Sequence, residues 1–209
     1  MSTSRFTFHV SRLGILGGSF DPPHYGHLAL AETARVQLKL DGVLFVPAGQ
    51  PPHKHEQQLS AVDHRTAMVE AAIADNPAFS LCRVDLDRPG PHYTADMVDL
   101  LRKQHLDIKA WFFLMGADAL YDLPLWYKPE AILEHVCLAV MPRAGKQADL
   151  TELTKALPQL TERLTWLDVP PVDFSATDLR RRAREGLPLR YLVPPDVEAY
   201  IREHRLYVK

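Results

Sequence analysis

The chain has 209 residues, enough for one substantial α/β domain with a small C-terminal appendage. Its 46% apolar and 24% charged content suits a soluble globular protein, and a formal net charge of -2 argues against a nucleic-acid or acidic-membrane partner. No apolar run reaches the length of a membrane span, and Met1–Ser11 lacks the apolar core of a secretory signal, so the expected compartment is the cytoplasm.

Leu13–Leu16 predicts a short buried strand. Beyond a Gly-rich and Pro-rich loop, Leu30, Ala31, Ala34 and Leu38 share one helical face. Gly42–Val46 reads as a second strand, stopped by Pro47, and Ala48–Leu59 as a loop. Ser60 is placed to cap a helix running to about Asp75, with Met68, Val69, Ala72 and Ile73 at helical spacing. Phe79–Leu86 is strand-like. Arg88–His92 is a turn, and Thr94 can cap a helix through Leu101. Lys109–Leu114 is the strongest strand, followed by a short helix or turn at Ala117–Leu120.

Pro129–His135 predicts a helix with proline in its first turn, and Val136–Met141 another buried strand. Leu150–Leu157 is a weak helix and Leu164–Leu167 a short strand. Ser175 caps a basic helix ending near Gly186, and Pro194 and Pro195 start a last helix. The alternation predicts an α/β fold: a Rossmann-like, doubly wound parallel sheet of about six strands with a small helical C-terminal segment. The expected organisation is a single domain over 1–209, with 173–209 as a C-terminal helical subregion. Cys82 and Cys137 sit in apolar runs and read as buried thiols, not a disulfide or metal pair.

Gly17-Gly-Ser-Phe-Asp-Pro-Pro-His-Tyr-Gly-His27 follows the first strand, where open parallel sheets bind ligands. Gly17 and Gly18 permit a sharp turn, and the helix start beyond them offers unpaired N–H groups to an anion. His24 and His27, three apart, point the same way and can donate to phosphoryl oxygens. The dinucleotide and P-loop fingerprints are both missing. A zinc site would need His53, His55 or His64 as further ligands, with no cysteine or Glu-x-x-His pattern beside the pair, so no resident metal is expected.

Far downstream, Ser175-Ala-Thr-Asp-Leu-Arg180 has a plain reading as a capping box. Its Ser175 and Thr177 hydroxyls, with the Arg180 fork one turn further, can also form a second polyphosphate grip. Arg180, Arg181, Arg182 and Arg184 otherwise form a solvated basic face.

The first motif resembles the His-x-Gly-His signature of a nucleotidyltransferase superfamily, and the second its Ser-Ser/Ala-Thr-x-x-Arg motif. Between them, Pro51-Pro-His-Lys54, Pro91-His-Tyr-Thr-Ala-Asp96, Phe113-Leu-Met-Gly-Ala-Asp-Ala-Leu120, Leu125-Trp-Tyr127 and Met141-Pro-Arg-Ala-Gly145 resemble segments of bacterial nicotinate-nucleotide adenylyltransferases. The resemblance runs from Leu13 to Tyr207. It implies adenylyl transfer from ATP to nicotinate mononucleotide, with pyrophosphate released and Mg²⁺ accompanying the nucleotide.

It implies His24, His27 and Arg180 as catalytic residues, and Gly17, Gly18, Ser19, Phe20, Gly116, Asp118, Ser175 and Thr177 as further ATP contacts. Acceptor contacts fall on Lys54, Tyr93, Thr94, Trp126, Tyr127 and Arg143. Trp126 and Tyr127 can stack on a flat ring, and core aromatics are their plain alternative. Other acceptors, nicotinamide mononucleotide or pantetheine phosphate, are the rivals within the superfamily. A nucleotide-binding regulator without turnover is the rival outside it. The acid-versus-amide preference and a homo-oligomeric state are open at this stage.

Overall fold

The computed structural model describes residues 11–50, 59–142, 149–169 and 174–208. Six strands form one parallel sheet in the order β3-β2-β1-β4-β5-β6. They are β1 (Arg12–Gly18), β2 (Gly42–Pro47), β3 (Phe79–Leu81), β4 (Ala110–Gly116), β5 (Cys137–Met141) and β6 (Leu164–Trp166). The first half winds outward from β1 to β3, and the second starts again at β4 on the other side of β1. The strand order therefore reverses between β1 and β4, and their carboxyl ends open a crevice.

Helices cover both faces: α1 (Tyr25–Gln37), α2 (Val62–Ile73), α3 (Thr94–Gln104), α4 (Ala117–Tyr121), α5 (Pro129–His135), α6 (Thr151–Ala156), α7 (Leu160–Arg163), α8 (Ala176–Arg184) and α9 (Pro195–Glu203). Burial on both faces explains the unbroken apolar runs of the central strands. Alternate residues serve two cores: Leu13, Ile15, Trp111 and Phe113 pack with α3 and α5, whereas Leu16, Phe112 and Leu114 pack with α1, α2 and α9. Leu179, Val197 and Ile201 bring α8 and α9 onto the second face, beside the carboxyl end of β1.

Three departures from the predicted elements have a clear local cause. β3 ends at Leu81, not Leu86, because its last ladder bond runs from Cys82 N–H to the Phe45 carbonyl. Leu86 and Asp87 then turn back to donate to the Arg83 carbonyl. Ser60 does not cap α2: its N–H is drawn 3.0 Å to Asp21 Oδ2, and Ala61 takes the cap position. Thr94 is the first residue of α3 and Tyr93 its cap. Cys82 and Cys137 are free and half-buried, and burial pushes the Cys82 thiol pKa up. Among the described residues no helix is long and apolar enough to cross a membrane.

Candidate active site

Gly17 and Gly18 were expected to make the turn, yet both remain in β1, paired with Val46 and Pro47. The turn falls instead on Phe20, at φ 50. A left-handed residue costs about 1–2 kcal/mol, offset here by burial of its ring against Phe45. The glycines contribute space: a Cβ on Gly18 would lie 3.2 Å from the Phe20 ring.

His24 takes the cap position of α1 in extended conformation, and His27 follows in the first turn. Their rings stack with centroids 3.8 Å apart. His27 Nδ1 accepts the His24 backbone N–H at 3.2 Å, which leaves the proton of a neutral His27 ring on Nε2. His24 is 6% exposed, and burial lowers its pKa from 6.5 to about 4, so the ring is neutral at pH 7. Its Nδ1 is buried without a hydrogen-bond partner of good geometry. Gly26 permits this packing, since a Cβ there would approach His24 Nδ1 to 3.0 Å.

The helix start offers fewer free donors than its sequence suggests. Tyr25 N–H is given to the Leu192 carbonyl and His27 N–H to that of His24. Recognition at this end of α1 therefore rests more on the two imidazoles than on backbone amides.

The second motif stands opposite. Ser175 caps α8 through its backbone, and its hydroxyl makes no capping bond. Arg180 Nη1 donates to the Asp21 carbonyl at 2.7 Å, and Nη2 to Thr177 Oγ1 at 3.3 Å. Ser19, Phe20, Asp21, His24, His27, Ser175, Ala176, Thr177 and Arg180 enclose a cleft of about 280 Å³. That volume lies at the lower end of small-molecule pockets, about 300–1,000 Å³, and is ample for a phosphate chain. Beside apolar Phe20 and Ala176, and an Asp21 carboxylate turned inward to Ser60 and Tyr207, the cleft's polar side chains are N–H and O–H donors with one permanent cation, a set matched to an anion. Among the described residues no three His, Cys, Asp or Glu side chains gather as a metal cage.

The other predicted residues are not among those that line this cleft. Gly116 ends β4 beside β1, and a Cβ there would meet nothing within 4 Å, so the crevice is open at that point. Asp118 follows, exposed, in the first turn of α4. Tyr93 and Tyr127 stack at 4.4 Å, with the Lys128 ammonium 4.9 Å from the Tyr127 ring centroid. Trp126 is half-buried and packs edge-on against Phe113. Thr94 opens α3 next to Tyr93. Lys54 and Arg143 lie outside the described residues.

Four residues support the site without having been singled out from the sequence. Arg65 is 1% exposed and donates to the carbonyls of Ser60, Ser19, Ala48 and Gly49. Burial lowers its pKa, opposed by the Asp21 charge. It shares an apolar helical face with Met68, Val69 and Ala72, and a lone cation on such a face was the available signal. Asp21 accepts the Ser60 N–H and, at 2.6 Å, the Tyr207 hydroxyl. His92 Nδ1 accepts the Gln50 N–H at 2.7 Å and so secures the turn before Tyr93.

Comparison with known proteins gives a consistent pattern. Residues 15–182 match the cytidylyltransferase-like family. The chain is 46% identical over 198 residues to a Thermomicrobium roseum protein named "Probable nicotinate-nucleotide adenylyltransferase", covering 95% of this chain and 92% of that one. A Bacillus pumilus protein of the same name is 40% identical over 198 residues, covering 95% and 99%. Among solved structures, Plasmodium falciparum nicotinic acid mononucleotide adenylyltransferase complexed with NaAD superposes with a TM-score of 0.75 at 19% identity, covering 94% of this chain and 97% of that one.

Proposed function

The chain belongs to the nicotinate-nucleotide adenylyltransferases of the cytidylyltransferase-like family, and on that premise we propose how its cleft serves adenylyl transfer. The reaction joins nicotinate mononucleotide to the adenylyl group of ATP, giving nicotinate adenine dinucleotide and pyrophosphate. The observation that carries the reading is the meeting of two distant motifs across one cleft, with His24 and His27 on one side and Ser175, Thr177 and Arg180 on the other.

The attacking oxygen belongs to a phosphate that is already ionised at neutral pH. No general base or covalent intermediate is needed, and catalysis reduces to in-line placement and charge stabilisation. His24, neutral at pH 7, donates one ring N–H toward the α-phosphate. His27 donates from Nε2 toward the departing phosphates. Arg180, Ser175 and Thr177 grip the β and γ phosphates, with Ser19 and Phe20 lining their path and Gly17 and Gly18, at the end of β1, assigned to them on the strength of their motif. Gly116 leaves room for the nucleotide beyond β4, and Asp118 meets a ribose hydroxyl. Mg²⁺ enters as part of the nucleotide substrate, bound to phosphate oxygens.

The acceptor's pyridine ring stacks beside Tyr127 and Trp126, and backbone N–H groups near Thr94 and Tyr127 meet its carboxylate. Tyr93 supports Tyr127 from behind. Lys54 and Arg143 are assigned to phosphate groups on the strength of their motifs. The test is pyrophosphate release from ATP with nicotinate or nicotinamide mononucleotide or pantetheine phosphate. Faster turnover on the nicotinate acceptor is expected. ATP binding without turnover on any of them would overturn the reading.

A further inference from the structure

Asp21 sits where the parts of the cleft meet. Its backbone carbonyl accepts Arg180 Nη1 at 2.7 Å, which ties it to α8. Its Oδ2 accepts the Ser60 N–H at 3.0 Å, which ties it to the start of α2. Its Oδ1 accepts the Tyr207 hydroxyl at 2.6 Å, which ties it to the segment after α9. The carboxylate is 1% exposed, and both oxygens are spent inside the protein, so it does not act as a free group in the cleft.

Arg65 completes the frame from the same turn of α2, joining the Ser19 and Ala48 carbonyls at 2.8 Å each. Phe20 at φ 50 and Tyr207 at φ 67 are both left-handed non-glycine residues, one before Asp21 in sequence and one bonded to it. Such conformations persist where surrounding contacts hold them. Burial and the Asp21 charge push the Tyr207 pKa upward, so the phenol keeps its proton and donates.

We propose that Asp21 and Tyr207 are positioning residues for the triphosphate site, joining the His24–His27 loop to Arg180 through one buried carboxylate. The inference rests on the reading of this cleft as the polyphosphate site. Without the Tyr207 hydroxyl, Asp21 keeps its place in the chain but loses one of the bonds that orient it. The loop carrying His24 and the carbonyl that aims Arg180 then loosen together. The acceptor side is reached from this frame only at one remove, through Arg65 on the Gly49 carbonyl and the Gln50–His92 bond before Tyr93, so losing the Tyr207 hydroxyl bears first on the cleft.

The test uses the full chain with Tyr207→Phe, Asp21→Asn and their double variant. Tyr200→Phe is the control, because it removes another tyrosine hydroxyl joining α9 to α2, the 3.0 Å contact with His64. Steady-state kinetics are measured well below the unfolding midpoint of each variant. Tyr207→Phe is expected to raise KM for ATP by up to about tenfold, since the lost bond reaches ATP only through Arg180 and the His24 loop, with a clearly smaller change in KM for the acceptor. Tyr200→Phe should match the parent chain, and the double variant should be no worse than the poorer single one.

Parent-like kinetics in Tyr207→Phe would overturn the proposal. So would equal rises in both KM values, or equal defects in the two tyrosine variants, since either marks general loosening. ATP affinity by calorimetry gives a second readout without any acceptor. If the parent chain binds ATP but turns over no mononucleotide, the functional reading fails on its own. The positioning role then stands or falls on whether Tyr207→Phe weakens ATP binding.

Discussion

The cleft at the end of β1 is held by buried hydrogen bonds between distant parts of the chain, whereas the aromatic pair beside α3 and α5 rests on a ring contact and is open to water. In the cleft, Arg180 reaches Asp21 across 159 residues and Tyr207 reaches it across 186. Beside α5, Tyr127 is 41% exposed and its stacking partner is Tyr93. The first arrangement suits a demand that never varies, a phosphate chain aligned for displacement. The second leaves latitude for the molecule that attacks. On the proposed reading, preorganisation is concentrated where charge develops, and substrate choice sits on a softer surface.

The contrast breaks first at the histidines. His24→Ala and His27→Ala should each lower kcat by about 10²–10³ in pyrophosphate release, with circular dichroism unchanged. Near-parent turnover in both would remove the cleft from the chemistry.

Arg65→Ala should come next, through the frame. It leaves carbonyls at Ser60, Ser19 and Ala48 without their donor, and urea denaturation should show a loss of about 3 kcal/mol.

Acidification separates the two regions by a similar amount. His24 binds a proton near pH 6.5 when unfolded but only near 4 when folded, so the unfolded chain holds more protons between those values. Stability is full above pH 6.5 and falls as pH drops toward 4, by about 3 kcal/mol from this group. His24→Asn should flatten that part of the profile in chemical denaturation. Tyr127→Phe should leave it as it is.

Smaller effects belong to the aromatic side. Tyr127→Ala is expected to raise the acceptor KM about tenfold while KM for ATP stays constant. Trp126→Phe should change the acceptor KM by less than about threefold, because much of this side chain is engaged with Phe113. A larger response at Trp126 than at Tyr127 would reverse their assigned importance.

Both motifs were legible because their chemistry depends on residue types at short spacing, and the two histidines do stack as a pair. The central strands were legible too, since burial on both faces leaves unbroken apolar runs. The turn was misplaced onto Gly17 and Gly18 because glycine permits a left-handed residue without requiring it, and tertiary packing put that conformation on Phe20. The end of β3 was overextended because its alternating pattern continues after the ladder has stopped. Asp21, Arg65 and Tyr207 stayed hidden for a different reason. A buried polar residue is identified by its partners, and those partners are set by topology, not by sequence neighbourhood.

The long reach of the Asp21 contacts has a consequence for how the protein is made. On a ribosome, β1 and its histidine loop leave the exit tunnel early, and the strands through β5 can assemble on them. Arg180 and Tyr207 are translated only after all six strands. A nascent or prematurely ended chain would carry both histidines and most of the sheet yet lack one wall of the cleft. On the proposed reading, the grip on phosphate is completed only after the sheet has formed, and fragments stopped before α8 should bind ATP more weakly than the full chain.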